Sequence, residues 1–156
     1  DYWAFGRSGD APFVNYLELA SRVGVDADPV IVSDTVTSLQ TLAEFASERP
    51  NGAAVERYAQ HAIRPFFDRL GWNATAGESP NATLLRAELI GALSDLGDQQ
   101  VIGEVRRRAR GGEPIPASIR NAVLAAYAAN ATAEDYEAIL SRARAAPDFV
   151  EQRRQW

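Results

Sequence analysis

The polar side chains best suited to chemistry in this sequence are arginines, which gather in three clusters. The clusters are Arg106-Arg107-Arg108-Arg110, Arg142 with Arg144, and Arg153 with Arg154. A guanidinium group binds anions through paired hydrogen bonds, so the clusters suggest an anion or peptide-carboxylate site. The competing interpretation is structural, because the first two clusters fall in the last turn of predicted helices, where the helix dipole stabilises cations. The recurrence of the first cluster 34 positions later favours the structural interpretation.

Other polar residues stand alone. Arg86 and Arg120 hold the same place in two predicted helices, which is more typical of packing and ion pairing than of ligand binding. Tyr58 and Tyr136 each combine an apolar ring with a hydroxyl group that can remain at the edge of a groove. His61, the one imidazole, falls on the polar face of its predicted helix and is interpreted as a solvated surface residue.

The composition excludes several kinds of chemistry. The 156 residues include no Cys and one His, which excludes disulfides, thiolate zinc ligands, Cys nucleophiles and paired His ligands. Phosphate-binding, nucleophile-elbow and zinc-protease motifs are absent from the sequence. We therefore predict no catalytic, cofactor-binding or metal-ligating residue in the chain.

Charge and hydropathy exclude two classes of partner. The chain has 16 basic and 21 acidic side chains, a net charge of −5, so we expect no nucleic-acid partner. The sequence contains no apolar run long enough to cross a membrane, so we expect no membrane partner. A hydrophobic content of 46% and this length predict one globular domain over residues 1–156.

All basic residues are Arg, and the chain begins at Asp1 and contains no Met. Heavy use of Ala, Arg and Gly without Lys is typical of a GC-rich bacterial genome, so we predict a bacterial source. The compartment stays undetermined between the cytoplasm and the periplasm. Because an open reading frame begins with Met, we expect residues 1–156 to be either a mature product or part of a longer chain, and we favour the second.

The elements that position these side chains are predicted to be helices throughout. Apolar residues recur at intervals of three and four, and no strand pattern appears. Helices are predicted at about 13–20, 28–47, 53–70, 79–97, 98–110, 118–129 and 132–146, with a last one from Pro147. The predicted N-caps are Asp28, Ser79, Asp98 and Thr132. Pro65 is expected to kink its helix or to start a new segment.

A repeat relates the later helices. A shift from Arg86 to Arg120, which is 34 positions (120 − 86), places Leu89 on Val123 and Asp98 on Thr132. Two-helix units recurring at this period are typical of an α-solenoid, in which each hairpin buries its apolar face against its neighbours. The predicted fold is all-α, a right-handed superhelix of antiparallel HEAT-like or armadillo-like hairpins.

A series of short motifs resembles a known family. The motifs are Leu70-Gly71-Trp72, Gly77-Glu78, Leu84-Leu85-Arg86, Gly97-Asp98, Ile115-Pro116, Ile119-Arg120-Asn121-Ala122-Val123 and Tyr136. In this order and spacing they resemble the C-terminal helical domain of M1-family zinc aminopeptidases. The opening residues, from Asp1 to Phe5 and from Tyr16 to Ala20, resemble early helices of that domain.

The resemblance implies a function without catalysis. In that family an upstream domain carries the zinc and its His-Glu-x-x-His motif, and the helical domain closes over it to form a peptide chamber. The expected partners are the chain's own upstream catalytic domain and a peptide substrate. The candidate residues for contact with the peptide are Arg86, Arg120 and Tyr136. Zinc is expected in the catalytic domain of the parent chain and no cofactor in this part.

Two expectations remain beside that function. The alternative is a free-standing HEAT-like scaffold that binds a protein or peptide on its concave face. If the superhelix is cut at residue 156, its last helix should expose an apolar face near Phe149, Val150 and Trp156, which would favour self-association.

Overall fold

The fold is described by a computed structural model for residues 2–111 and 114–145, apart from the side chain at position 142. Those residues form helices and no strand, which confirms the all-α prediction. The helices are α1 (Tyr2–Ser8), α2 (Phe13–Ala20), α3 (Pro29–Ala46), α4 (Gly52–Leu70), α5 (Pro80–Asp95), α6 (Gln99–Arg110), α7 (Ala117–Ala129) and α8 (Ala133–Ala145).

Polar side chains begin the helices where the sequence predicts them. The Asp28 carboxylate accepts a hydrogen bond from the backbone N–H of Val30 at 2.8 Å, and the Ser79 hydroxyl accepts one from Ala82 at 3.2 Å. Asp98 accepts from two backbone N–H groups of α6 at 3.0 Å each. These bonds satisfy N–H groups that have no partner inside the helix, so they fix the helix starts.

Two features of the helices differ from the predictions. The apolar pattern did not predict α1, because seven residues containing Gly6 show neither a cap nor a full apolar stripe, and only the family resemblance of Asp1 to Phe5 implied a helix there. α4 continues through Pro65 as one helix, so no new segment begins at this residue, and the alternative of a kink stays a prediction. Ile63 and Phe67, on either side of the proline, are 0% and 3% exposed, and this shared burial outweighs the backbone hydrogen bond that proline removes.

The helices α3 to α7 pack around one core. α5 is central and packs against α3, α4, α6 and α7, while α3 also packs on α4 and α7 on α6. The centre of the core includes aliphatic side chains that are at most 1% exposed, among them Val36, Leu39, Ile63, Leu89, Leu93, Ile119 and Val123. The right-handed superhelix of HEAT-like or armadillo-like hairpins stays a prediction.

The 34-residue repeat is visible in the burial of its apolar positions. Leu89 and Val123 are both 0% exposed. The charged position behaves differently, because Arg86 is buried and Arg120 is exposed. The predicted last helix from Pro147, the Arg153-Arg154 pair and the apolar residues Phe149, Val150 and Trp156 lie outside the described residues.

Candidate functional site

Arg86 is completely buried in the core and fully engaged there. Its Nη1 donates to Glu78 Oε1 at 2.6 Å, and its Nη2 donates to Glu78 Oε2 and to the Leu70 carbonyl. Its Nε donates to the carbonyl of Gly71 at 3.0 Å. Arg86 therefore joins α5 to the loop that follows α4. The peptide-contact prediction for Arg86 is not supported, since its guanidinium group faces this loop and is closed to solvent.

The buried carboxylate of Asp135 links three helices, α6, α7 and α8. It is 0% exposed, and it accepts hydrogen bonds from Arg110 Nε at 2.7 Å, from Arg106 Nε at 3.2 Å and from the Tyr127 hydroxyl at 2.7 Å. Thr132 at the start of α8 donates to the same carboxylate and accepts from the backbone N–H of Asp135. The reciprocal bonds between Thr132 and Asp135 confirm the predicted N-cap. The bonds of Asp135 with Arg106, Arg110 and Tyr127 attach α8 to α6 and α7.

The other arginines of this cluster also have partners within the fold. Arg107 and Arg108 both pair with Glu104, at 2.7 Å and 2.6 Å. The Arg108 guanidinium carbon lies 4.7 Å from the centre of the Trp72 ring, which is a cation–π geometry. The structural interpretation of the Arg106–Arg110 cluster is therefore favoured, with ion pairs across the fold added to the helix dipole.

The ion pairs of Glu78, Glu104 and Asp135 also determine how these carboxyl groups titrate. Hydrogen bonds from Arg86 lower the pKa of Glu78 from 4.5 to about 2, and those from Arg107 and Arg108 lower the pKa of Glu104 to about 2. Burial alone would raise the pKa of Asp135, but hydrogen bonds from Thr132, Tyr127 and Arg110 hold it well below its usual range.

We expect the chain to lose stability in acid. A carboxyl group whose pKa is lower in the folded than in the unfolded state stabilises the fold above its unfolded value. For Glu78 and Glu104 this stabilisation is complete above pH 4.5 and is lost as the pH falls towards 2. Urea unfolding between pH 7 and pH 2 should show a falling midpoint, and Glu104→Gln should flatten that fall. A midpoint independent of pH below 4.5 would contradict the ion-pair account.

A polar groove lies on the surface between α4 and the start of α6. It is lined by side chains of Arg57, Gln60 and His61 from α4, and by Gln99 and Gln100 from α6. His61 is exposed, as predicted. The floor is fixed because Arg64 donates to Asp98 Oδ2 and to Gln100 Oε1, both at 2.8 Å. Amide, imidazole and guanidinium groups on such a surface can hydrogen-bond to the main chain and termini of a peptide.

The two remaining candidate residues lie apart from each other. Tyr136 is 55% exposed in the first turn of α8, next to Asp135. Arg120 is exposed in the first turn of α7 and donates to the carbonyl of Ile115 at 3.3 Å. From Arg120 to the end of α7 at Ala129 is roughly 14 Å along the helix axis, because each residue rises about 1.5 Å. The structure therefore does not bring Arg120 and Tyr136 into one site.

The glutamines of the groove were not singled out by the sequence. Gln99 and Gln100 follow the Asp98 cap and have no pattern of their own, and only their position opposite α4 groups them with His61. The sequence does show the polar face of α4, which carries Arg57, Gln60 and His61. That face could have pointed to the groove.

Residues 2–111 and 114–145 show neither a metal-binding cluster nor a membrane-spanning helix. No cluster of three or more His, Cys, Asp or Glu side chains is arranged to hold a metal ion there. In the same residues no helix is both long enough and apolar enough to cross a membrane.

Comparison with known proteins gives two matches. The model of the ERAP1-like C-terminal domain matches residues 1–156, the whole chain. Aminopeptidase M1-A of Oryza sativa subsp. japonica is 29% identical over 110 residues, a match that covers 69% of this chain and 12% of the rice protein. The chain thus spans a small part of that relative's length. The family match over every residue places it: the chain belongs to the ERAP1-like C-terminal domains, the C-terminal domain of M1 aminopeptidases.

Proposed function

We propose that this domain is a non-catalytic wall of the peptide chamber of a bacterial M1 zinc aminopeptidase. In this role it closes over the catalytic domain of the same protein and limits which substrates reach the zinc. The match of the whole chain to the C-terminal domain family carries the proposal. The resemblance of the motif series from Leu70 to Tyr136 supports it.

The side chains of the domain are suited to binding rather than to bond cleavage. The buried Arg86 and Asp135 are engaged in ion pairs that hold helices together. The exposed polar groups of the α4–α6 groove offer hydrogen-bond donors and acceptors along a helical surface. A stack of helix pairs provides an extended surface of this kind, which is the common use of a solenoid. In the proposed enzyme zinc and its ligands belong to the catalytic domain.

Tyr136 and Arg120 are the residues we propose to contact peptide. In the full-length protein, Tyr136→Ala should raise KM for a peptide of ten residues or so by about fivefold, the loss of roughly one net hydrogen bond or ring contact. The kcat/KM for a single-residue aminoacyl chromogenic substrate should stay unchanged, because such a substrate does not extend to the helical domain. Arg120→Ala is expected to act in the same direction.

Leu84→Ala is the matched control, since Leu84 is 69% exposed on α5 and has no proposed contact with peptide. It should change neither substrate's kinetics. Equal effects of Tyr136→Ala on the short and the long substrate would count against a role in peptide contact.

A further inference from the structure

The α1–α2 pair is the least covered part of the described structure. Neither helix contains a buried residue, although together they carry several large apolar side chains. Four of these are about half exposed: Tyr2, Phe5, Val14 and Leu19. Helices of seven and eight residues are too short to be stable in water by themselves, so packing has to stabilise them.

An apolar groove opens between this pair and the facing ends of α3 and α4. Its volume is about 560 Å³, and its apolar lining includes Phe13 and Leu17 from α2, Phe45 from α3 and Val55 from α4. Phe45 is 58% exposed, which is unusual for a phenylalanine. The groove is therefore an apolar surface that the described residues leave uncovered.

Two arginines give the groove a positive charge. Arg7 at the end of α1 and Arg49 after α3 both line it, and no carboxylate is among its lining residues. Neither guanidinium group forms an ion pair with the residues the structure describes, whereas the arginines of α6 are paired. An apolar groove with two guanidinium groups is complementary to an apolar ridge that carries carboxylates.

We propose that this groove is the docking surface for the rest of the same polypeptide, and that it receives an apolar ridge flanked by Asp or Glu side chains. Most of the related rice protein lies outside the matched region, which covers 12% of it, so a covering segment in the same chain is available. This inference rests on the proposed function, in which the domain lies against its catalytic domain. It adds the surface and the chemistry of the contact.

The test uses the full-length protein with the photoreactive residue p-benzoylphenylalanine in place of Phe45. Ultraviolet irradiation and mass spectrometry should find a cross-link within one polypeptide, from position 45 to an apolar segment outside residues 1–156 that contains Asp or Glu. The double charge reversal Arg7→Glu with Arg49→Glu should abolish most of that cross-link. Arg57→Glu, a reversal on the surface of the α4–α6 groove, should leave its yield unchanged.

Several outcomes would overturn the proposal. A cross-linked species of twice the mass would show that a second copy covers the groove, and a cross-link to added peptide would make it a substrate site. A cross-link within residues 1–156 or no cross-link at position 45 would also contradict it. Each of these results would leave the chamber function standing, because the failure of that function would appear in the peptide kinetics instead.

Discussion

Arg86→Met is expected to lower the free energy of unfolding by about 4 kcal/mol, because removing one partner of a buried ion pair leaves the other charge unpaired. Arg86 is 0% exposed and the Glu78 side chain 9% exposed, so water cannot replace the lost guanidinium group without opening the core. The carbonyl groups of Leu70 and Gly71 lose a donor as well. For a chain of this size the loss corresponds to a fall in Tm of roughly 10 °C.

Urea unfolding followed by circular dichroism measures this effect, and two variants test its cause. Arg86→Met combined with Glu78→Gln should be more stable than Arg86→Met alone, since it also removes the unpaired charge. Arg120→Met, at the equivalent position of the repeat, should cost much less because Arg120 is exposed. Equal losses for Arg86→Met and Arg120→Met would show that the buried ion pair is not the cause.

Asp135→Ala is expected to lower the free energy of unfolding by about 3 kcal/mol, less than Arg86→Met. It removes the carboxylate that accepts from the backbone N–H and the hydroxyl of Thr132 at the start of α8, worth about 1 kcal/mol. It also removes the charged acceptor of the Tyr127 hydroxyl group, worth about 1.5–3 kcal/mol. The lost ion pairs with Arg106 and Arg110 should add little to this loss of stability, because these side chains are 35% and 40% exposed and water can solvate them in the variant.

The location of the damage distinguishes this variant from a general loss of stability. Hydrogen exchange should rise first in α8 and in the end of α7, where Asp135 makes its contacts, before it rises in α3 or α4. Glu134→Ala is the neighbouring control, because Glu134 is 83% exposed and its contact with Arg110 is 3.6 Å long. A uniform rise in exchange through all helices would contradict the role of Asp135 as the local fastening of α8.

The helix starts could be predicted because their chemistry is local. Asp28 and Ser79 bond to N–H groups two and three residues away, so the sequence contains both partners within one turn. The apolar residues of the core could also be predicted, because their spacing of three and four lies within single helices. α1 was missed since its packing against α2, with the Trp3 and Phe13 ring centres 5.6 Å apart, is a contact between helices.

The roles of the arginines could not be predicted in the same way. Arg110 reaches Asp135, which is 25 residues away, and only the packing of α6 on α7 makes that contact possible. Arg86 and Arg120 share a register in the repeat but differ in burial. The sequence did hold one signal, because Glu78 stands eight residues before Arg86, whereas the equivalent residue before Arg120 is Gly112.

The proposed restriction of access to a zinc site in the rest of the protein predicts that cleavage depends on the length of the substrate's unfolded tail. Substrates would carry the same cleavable N-terminal residue on unfolded tails of increasing length, joined to one stably folded domain. An extended tail reaches about 3.3–3.6 Å further with each residue. The full-length protein should spare the short tails and release the N-terminal residue only from tails long enough to enter the chamber. Equal rates for every tail length would show an open active site and contradict the account.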